Sequence, residues 1–452
     1  MSRSQRAMSR RRFLKRAGAG IALFEIAPSG LFGGPNGRAP SDKLGVACIG
    51  VGNRGEASVM ACKDENIVGL ADVDDRLAKT AYERFPSAKK YRDFRKMLDE
   101  LDRSIDAVTV GTPDHTHAVA AMEAIRRGKH VYCEKPLAHS IHEVRALMKA
   151  AREAKVVTQL GNQGHSFDSI RTFCEWIWDG AIGKVREVHA FCDAFREVYC
   201  QIDKLPQLAE KHEVPRELDY DLWLGPAAYR PYSPLWVPWS WRGWMPFGTG
   251  CLGDWVCHVV DPSFWALDLG LPTKIRAEVR DYDPKKHADV YPRGVKITYQ
   301  FPAKGDRGPV KLVWFDGIER PPRPEALEEG RAMPGTGAYV YGDKGIIQHG
   351  SHGAADCRLV PEARMKEYKG PERKIPRAGD HHRDWLDAIR AGREAGSHFG
   401  YGGPLTEIGL LGAIAIRFPG EELEWDADAM RFKGPAEANA LVAPPYREGW
   451  KL

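Results

Sequence analysis

The sequence predicts an α/β chain. A parallel sheet wrapped by helices is expected over residues 43–165, and an α/β domain with an open, mainly antiparallel sheet over 166–452. Three observations predict this. From Leu44 to Leu160 short apolar runs alternate with helical stretches, the pattern of strand–helix–strand units. The first apolar run ends on Gly-x-Gly-x-x-Gly, a turn that lets a helix start directly behind a strand. Beyond Ile182 a period of two takes over, in long strand candidates with few helices between them. The 452 residues are 43% hydrophobic and 28% charged, which suits packed domains and excludes a disordered, collagen-like or coiled-coil chain. No run of about 18 apolar residues is present, so no membrane span is expected.

The net charge of +5 is misleading. Residues 1–42 hold eight Lys/Arg against two Asp/Glu, a surplus of six, so the other 410 residues sum to −1 and imply no nucleic-acid surface. Within that basic stretch Ser9–Lys15 reads Ser-Arg-Arg-Arg-Phe-Leu-Lys, ahead of a short apolar stretch from Ala17 to Ala27. This resembles a twin-arginine export signal, and residues 1–42 are read as signal and linker. The resemblance implies a periplasmic protein carried across the membrane folded, with any cofactor already inserted. None of the nine cysteines forms a Cys-x-x-Cys pair. Cys48, Cys62, Cys133 and Cys174 lie in apolar or helical segments, so buried thiols are expected rather than a disulfide framework or a metal site.

Each element of the first domain follows in order. Leu44–Ile49 is a continuous apolar run, as for a strand buried on both faces. Gly50-Val51-Gly52-Asn53-Arg54-Gly55 comes next, and a second strand, Ile67–Ala71, runs into Asp72, 20 residues beyond Gly52. Glycines, helix start and carboxylate in this order predict an N-terminal Rossmann dinucleotide-binding domain: the glycines admit a pyrophosphate to the helix N-terminus, and Asp72 accepts from the ribose hydroxyls. A carboxylate there repels a 2′-phosphate and favours NAD, while Arg76 nearby keeps NADP open. Helices are expected over 79–84, 93–101, 118–127 and 141–154, and strands over 105–111, 130–133 and 156–160.

In such a sheet, ligands bind beyond the carboxyl ends of the strands. Those ends read Thr112-Pro113-Asp114-His115-Thr116-His117, then Glu134-Lys135-Pro136-Leu137, then Gly161-Asn162-Gln163-Gly164-His165. With these motifs the chain resembles the glucose–fructose oxidoreductase/inositol dehydrogenase (Gfo/Idh/MocA) family, from about residue 43 onward. The resemblance implies that NAD, tightly bound, is held by Gly50, Gly52, Asn53, Arg54, Gly55, Asp72, Thr112, Pro113, His115, His117, Glu134, Lys135 and Asn162. It implies that Lys135 hydrogen-bonds the reacting hydroxyl or carbonyl. A second family element is Asp254 and His258, four apart and so on one helix face. His258 is the expected base, oriented by Asp254, and no metal is expected.

The second domain should contain strands over 185–191, 274–282, 295–301, 310–315, 337–341 and 345–348, with terminal helices opening at His381-His382 and at Pro404. Residues 198–247 break this pattern, and seven of the thirteen Trp lie between Trp223 and Trp265. They read equally as a packed loop or subunit contact and as an aromatic platform for a sugar. His381 or His382 is read as reaching the cleft. Together these readings describe a nicotinamide-dependent oxidoreductase for a sugar, sugar derivative or polyol, acting as a homo-oligomer. A redox-neutral glycosidase or lyase with catalytic NAD is the alternative.

Overall fold

The computed structural model describes residues 43–452, so the Ser9–Lys15 run lies outside the described residues. The first sheet has six parallel strands: β1 Gly45–Ile49, β2 Asn66–Ala71, β3 Lys89–Tyr91, β4 Ala107–Val110, β5 His130–Cys133 and β6 Thr158–Leu160. Their order is β3-β2-β1-β4-β5-β6, so the direction of winding reverses between β1 and β4, where such sheets open a crevice. The pleat divides β1 between two cores. Ala47 and Ile49 join Met97, Leu98, Ala121 and Leu147 on one face, while Val46 and Cys48 join Val59, Ala78 and Ala81 on the other. Trp385 and Leu386 complete that second core. The helix His381–Ala391, nearly at the end of the chain, therefore roofs the first sheet.

Helix starts follow from local chemistry. Asp74 and Asp93 accept from the N–H groups of Arg76 and Arg95 at the starts of Asp75–Arg84 and Phe94–Leu101. Ser140 and Glu143 form a reciprocal capping box at the start of Ile141–Ala154.

The second sheet has nine strands: β7 Val185–Cys192, β8 Lys274–Arg280, β9 Gly294–Phe301, β10 Val310–Gly317, β11 Thr336–Gly342, β12 Gly345–Gly350, β13 Arg358–Val360, β14 Glu422–Asp426 and β15 Arg431–Phe432. The order is β13-β12-β11-β7-β10-β9-β8-β14-β15. Only β7 and β10 pair parallel, so the sheet is mixed but mainly antiparallel. Its inner face (Val188, Ala190, Ile297, Leu312, Trp314, Val340) packs on the helices Gly250–Val259 and Phe399–Ala415, and these continue into the first domain's core. One apolar core thus runs through both sheets and fixes the angle between them.

The helix Asp168–Trp178 and the strands β3, β13, β14 and β15 were not read from the sequence. The last four are only two to five residues long, too short to carry a period. The aromatic stretch folds as a packed loop: Trp223, Trp236, Trp241, Trp244 and Phe247 bury one another beside Leu218 and Tyr220. All nine cysteines are free and seven are buried; burial pushes the Cys48 thiol up to about 12.

Candidate active site

The site begins where β1 ends. Gly50 takes φ +72°, and a Cβ there would sit 2.7 Å from the Thr112 amide nitrogen. A Cβ on Gly55 would stand 1.9 Å from the Gly50 carbonyl oxygen, so only glycine lets the helix Arg54–Ala61 start against the strand. The backbone N–H groups of Asn53 and Arg54 make no hydrogen bond with the described residues and are open to an anion. Asp72 holds this turn from below. Its Oδ2 accepts from the N–H of Val51 (2.9 Å) and Gly52 (3.1 Å), and its Oδ1 from that of Asp74 (3.0 Å). Burial pushes its carboxyl up, against the pull of those N–H groups. Arg76 is engaged by Asp74 at 2.8 and 2.5 Å and is not extended toward a 2′-phosphate.

The crevice above this turn holds about 1060 Å³ of empty space, its open mouth included. Gly50, Gly52, Asn53, Arg54, Asp72, Thr112, Pro113, His117, Glu134 and Lys135 line one side, and Trp223, Pro238, Trp239, Trp241 and Arg242 line the other. Space of this size, glycines at the turn and open N–H groups fit a dinucleotide.

Two bridges lock the loops at the sheet's carboxyl edge. His117 sets its ring nitrogens against the carbonyls of Pro136 (2.7 Å) and Thr112 (2.8 Å). Arg54 donates to Glu134 (2.9 Å) and Gln163 (3.0 Å), leaving Glu134 Oε2 buried without a partner. The Lys135–Pro136 peptide between them is cis.

The opposite wall is the helix Gly250–Val259. Thr249, just before it, donates its N–H (3.0 Å) and hydroxyl (2.7 Å) to Asp114, in the first turn of Asp114–Arg126. Burial pushes the Asp114 carboxyl up to about 6. This contact brings Asp254 to Lys135: one carboxylate oxygen takes the Lys135 ammonium, the other the Tyr199 hydroxyl, and Arg242 Nε lies 3.6 Å away. Burial acts to raise the Asp254 pKa, but Lys135 and Arg242 outweigh it and hold the carboxyl at about 2. Trp255 donates its indole N–H to Tyr199 at 2.9 Å. One turn further on, His258 is buried and its Nδ1 has no partner. Its ring stacks on His352 with centroids 4.1 Å apart and planes 23° apart. Burial, then the charge of Lys135, drives its pKa well below the usual imidazole value, so it is neutral.

Several expected placements are corrected. Asp254 does not orient His258: both its oxygens are engaged, by Lys135 and Tyr199. His115 does not line the crevice. Its ring nitrogens face the carbonyls of Trp223 (2.9 Å) and Phe247 (3.2 Å), fastening the aromatic loop to the first domain, and burial takes its pKa down to about 3. Asn162 is wholly buried between Asp261 (3.1 Å) and Ser397 (2.7 Å). His381 and His382 lie beneath the strand ends, on Leu160 O and Ser166, and on Tyr132 and Ser58. Tyr199, Arg242, Asp114 and His352 were not found as site residues. Asp114 stands inside the Thr112–His117 turn and could have been, whereas the other three belong to segments without a motif.

Two family models match: the oxidoreductase family's NAD-binding Rossmann fold over residues 44–162, and its C-terminal α/β domain over 202–307. The chain belongs to the Gfo/Idh/MocA oxidoreductase family. Levoglucosan dehydrogenase of Pseudarthrobacter phenanthrenivorans is 30% identical over 193 residues, 42% of this chain and 40% of that enzyme. The match thus spans well under half of that relative's length. Among solved structures, levoglucosan dehydrogenase in complex with NADH and levoglucosan aligns over 84% of this chain and 99% of its own, at 20% identity and TM-score 0.55. An inositol dehydrogenase homologue from Azotobacter vinelandii, complexed with NAD⁺, aligns over 85% and 97%, at 15% identity and TM-score 0.57. At these identities the likeness is one of fold. Within this Gfo/Idh/MocA chain, Asp254 and His258 fall inside the second matched segment, and His352 falls outside both.

Proposed function

We propose that this protein is an NAD-dependent oxidoreductase acting on a carbinol of a sugar, sugar derivative or polyol. One observation carries the reading: an ammonium held by a carboxylate lines a dinucleotide crevice, and a neutral, buried imidazole stands one helical turn beyond that carboxylate. Bound NAD would supply the hydride acceptor. His258, held neutral by its burial, takes the hydroxyl proton. Lys135 offsets the negative charge growing on the carbinol oxygen, and Asp254 and Tyr199 fix where that ammonium stands. Asp72, with Arg76 turned to Asp74, supports NAD over NADP.

The same proposal makes the NAD tightly held. The aromatic loop lies across the crevice, and Arg242 is clamped between Trp239 and Trp241, 4.2 Å from each ring centre, while also facing Asp254. The sugar-platform role is not carried by Trp223, Trp236 or Trp244, which are buried in the loop's own cluster. The test is direct: purified protein is assayed for bound nucleotide, then offered levoglucosan, myo-inositol and simple glycosides with NAD while NADH absorbance is followed. NADH formed with none of them, from protein that binds NAD, overturns the reading.

Export to the periplasm by the twin-arginine route is proposed on the Ser9–Lys15 run alone. Arg10→Lys with Arg11→Lys should keep the protein in the cytoplasm, and continued export would overturn it. Self-association as a homo-oligomer completes the proposal and is read from the protein's mass in solution.

A further inference from the structure

Four Lys and Arg side chains line the crevice, and one of them differs from the rest. Arg54 is bonded to Glu134, Arg92 to Asp75 and Lys135 to Asp254. Arg242 is hydrogen-bonded to no carboxylate among the described residues. Its Nε stands 3.6 Å from an Asp254 oxygen already taken by the Tyr199 hydroxyl, beyond hydrogen-bond reach. Its Nη1 donates to the Trp239 carbonyl at 3.2 Å, and Nη2 makes no hydrogen bond with the described residues. The side chain is nonetheless fixed. Trp239 and Trp241 hold the guanidinium between them, each ring centre 4.2 Å from its central carbon. The backbone beneath is pinned as well: a Cβ on Gly248 would come within 2.5 Å of the Arg242 Cα, and one on Gly243 within 2.3 Å of the Val198 carbonyl oxygen. A guanidinium gripped by its faces keeps its edge free, and that edge is the planar fork that pairs with a carboxylate through two parallel bonds.

We propose that Arg242 sets the specificity of the site by taking a carboxylate of the substrate, so that the substrate class is a sugar acid: an aldonic acid, a uronic acid or a uronide. The proposal rests on the oxidoreductase reading and narrows it. Arg242 stands at Asp254, the carboxylate that places Lys135, so an anion on its edge lies beside the carbinol that Lys135 receives. Asp254 does not oppose that anion, because Lys135 already offsets its charge. NAD brings phosphates of its own, but the N–H groups open to them are those of Asn53 and Arg54 at the turn behind β1. The two indoles set the guanidinium in place before substrate arrives, which spares the cost of ordering a long side chain on binding. A neutral sugar offers only hydroxyls to the fork and forgoes the charge-assisted share of the contact.

The test is run on the full protein with NAD and with substrate pairs that differ only in the acid: glucose and glucuronate, galactose and galacturonate, methyl glucoside and methyl glucuronide. NADH formation gives kcat/KM for each sugar, calorimetric titration gives its binding to the NAD-loaded protein, and nucleotide content is measured beside them. Wild type should favour the acid in at least one pair by roughly 10- to 100-fold, the scale of a hydrogen bond to a charged group. In Arg242→Gln that ratio should fall to near one while NAD stays bound. Arg242→Lys, which keeps the charge and loses the planar fork, should recover only part of it. Should Arg242→Gln fail to fold, Trp239→Leu, at a residue 40% exposed, removes one face of the clamp and should lower the same ratio. A preference for the neutral sugar in every pair overturns the proposal, as does an unchanged ratio in the variant that folds. Loss of NAD from Arg242→Gln with the ratio unchanged assigns the guanidinium to the nucleotide's phosphates instead. Wild type that forms NADH with no sugar refutes the oxidoreductase reading, and the titration then decides the anion site by itself: acids bound no tighter than their neutral partners overturn it.

Discussion

The two walls of the crevice are built on different plans. The first-domain wall is local: Gly50 to Gly55, Asp72, Thr112 to His117 and Glu134 to Pro136 each follow the end of a strand, and each motif is contiguous. The facing wall is assembled by convergence. Tyr199, Arg242, Asp254, His258 and His352 come from four segments spread over about 150 residues, and few bonds of their own fix them: His258 has no partner on Nδ1, and Asp254 is held by groups from three other segments. The contrast teaches that backbone geometry secures the nucleotide side, while charge pairing and ring stacking secure the chemistry.

The sharpest way to break that contrast is at Gly52. A Cβ there would lie 2.6 Å from the Leu77 Cβ, so Gly52→Val should abolish nucleotide retention; a folded Gly52→Val protein with unchanged NAD content would refute the assignment. On the other wall, Lys135→Ala and His258→Ala should each lose roughly 10²- to 10⁴-fold in kcat while NAD stays bound, measured as turnover beside nucleotide content. Loss of NAD along with turnover would show that the two walls are not separable.

Stability separates them further. Asp254→Asn leaves Lys135 and Arg242 facing a neutral amide, and breaking such a pair should cost roughly 3 kcal/mol at pH 7 by denaturant titration. The folded carboxyl, at about 2, lies below the ordinary aspartate value of 3.8, so its contribution is present above pH 4 and is lost as pH falls toward 2. The difference between wild type and Asp254→Asn should shrink over that window. Asp114 has the opposite sign. Its folded pKa, about 6 against 3.8, means that ionisation costs stability above pH 6, at most about 3 kcal/mol, and that the cost is gone by pH 4. Asp114→Asn, whose amide oxygen can still accept from Thr249, should therefore raise the Tm by a few degrees at pH 8 and not at pH 4.

The same division explains what could be read in advance. The strand His130–Cys133 and the helix Ile141–Ala154 were readable to the residue, because a buried strand and a Ser140/Glu143 cap write themselves into adjacent positions. Asp254 and His258 were singled out by the family resemblance, and their spacing says only that they share a helix face. It could not say that Lys135 and Tyr199 would reach Asp254 first. His115 and Asn162 fail for the same reason: one stands in the first turn of a helix and the other in a loop, both just past a strand end, yet partners from residues 223, 247, 261 and 397 draw the side chain away from the crevice. His352 had no signal at all, since its turn is shaped by Gly164 from the other domain and by Ser169, some 180 residues earlier in the chain.

The meeting of Gly50, Gly55 and Gly111 has a consequence for how this chain can vary. A Cβ on Gly55 would overlap the Gly50 carbonyl oxygen, and one on Gly111 would come within 2.7 Å of the Gly55 Cα. Any single-base change that alters a glycine codon's residue installs a Cβ. Mutation therefore has no small step to take at these positions, and backbone on both sides would have to move before a second residue type could be tried. Asn53, exposed in the same turn, has the space for another side chain, but its φ of +48° restricts the choice through the backbone instead.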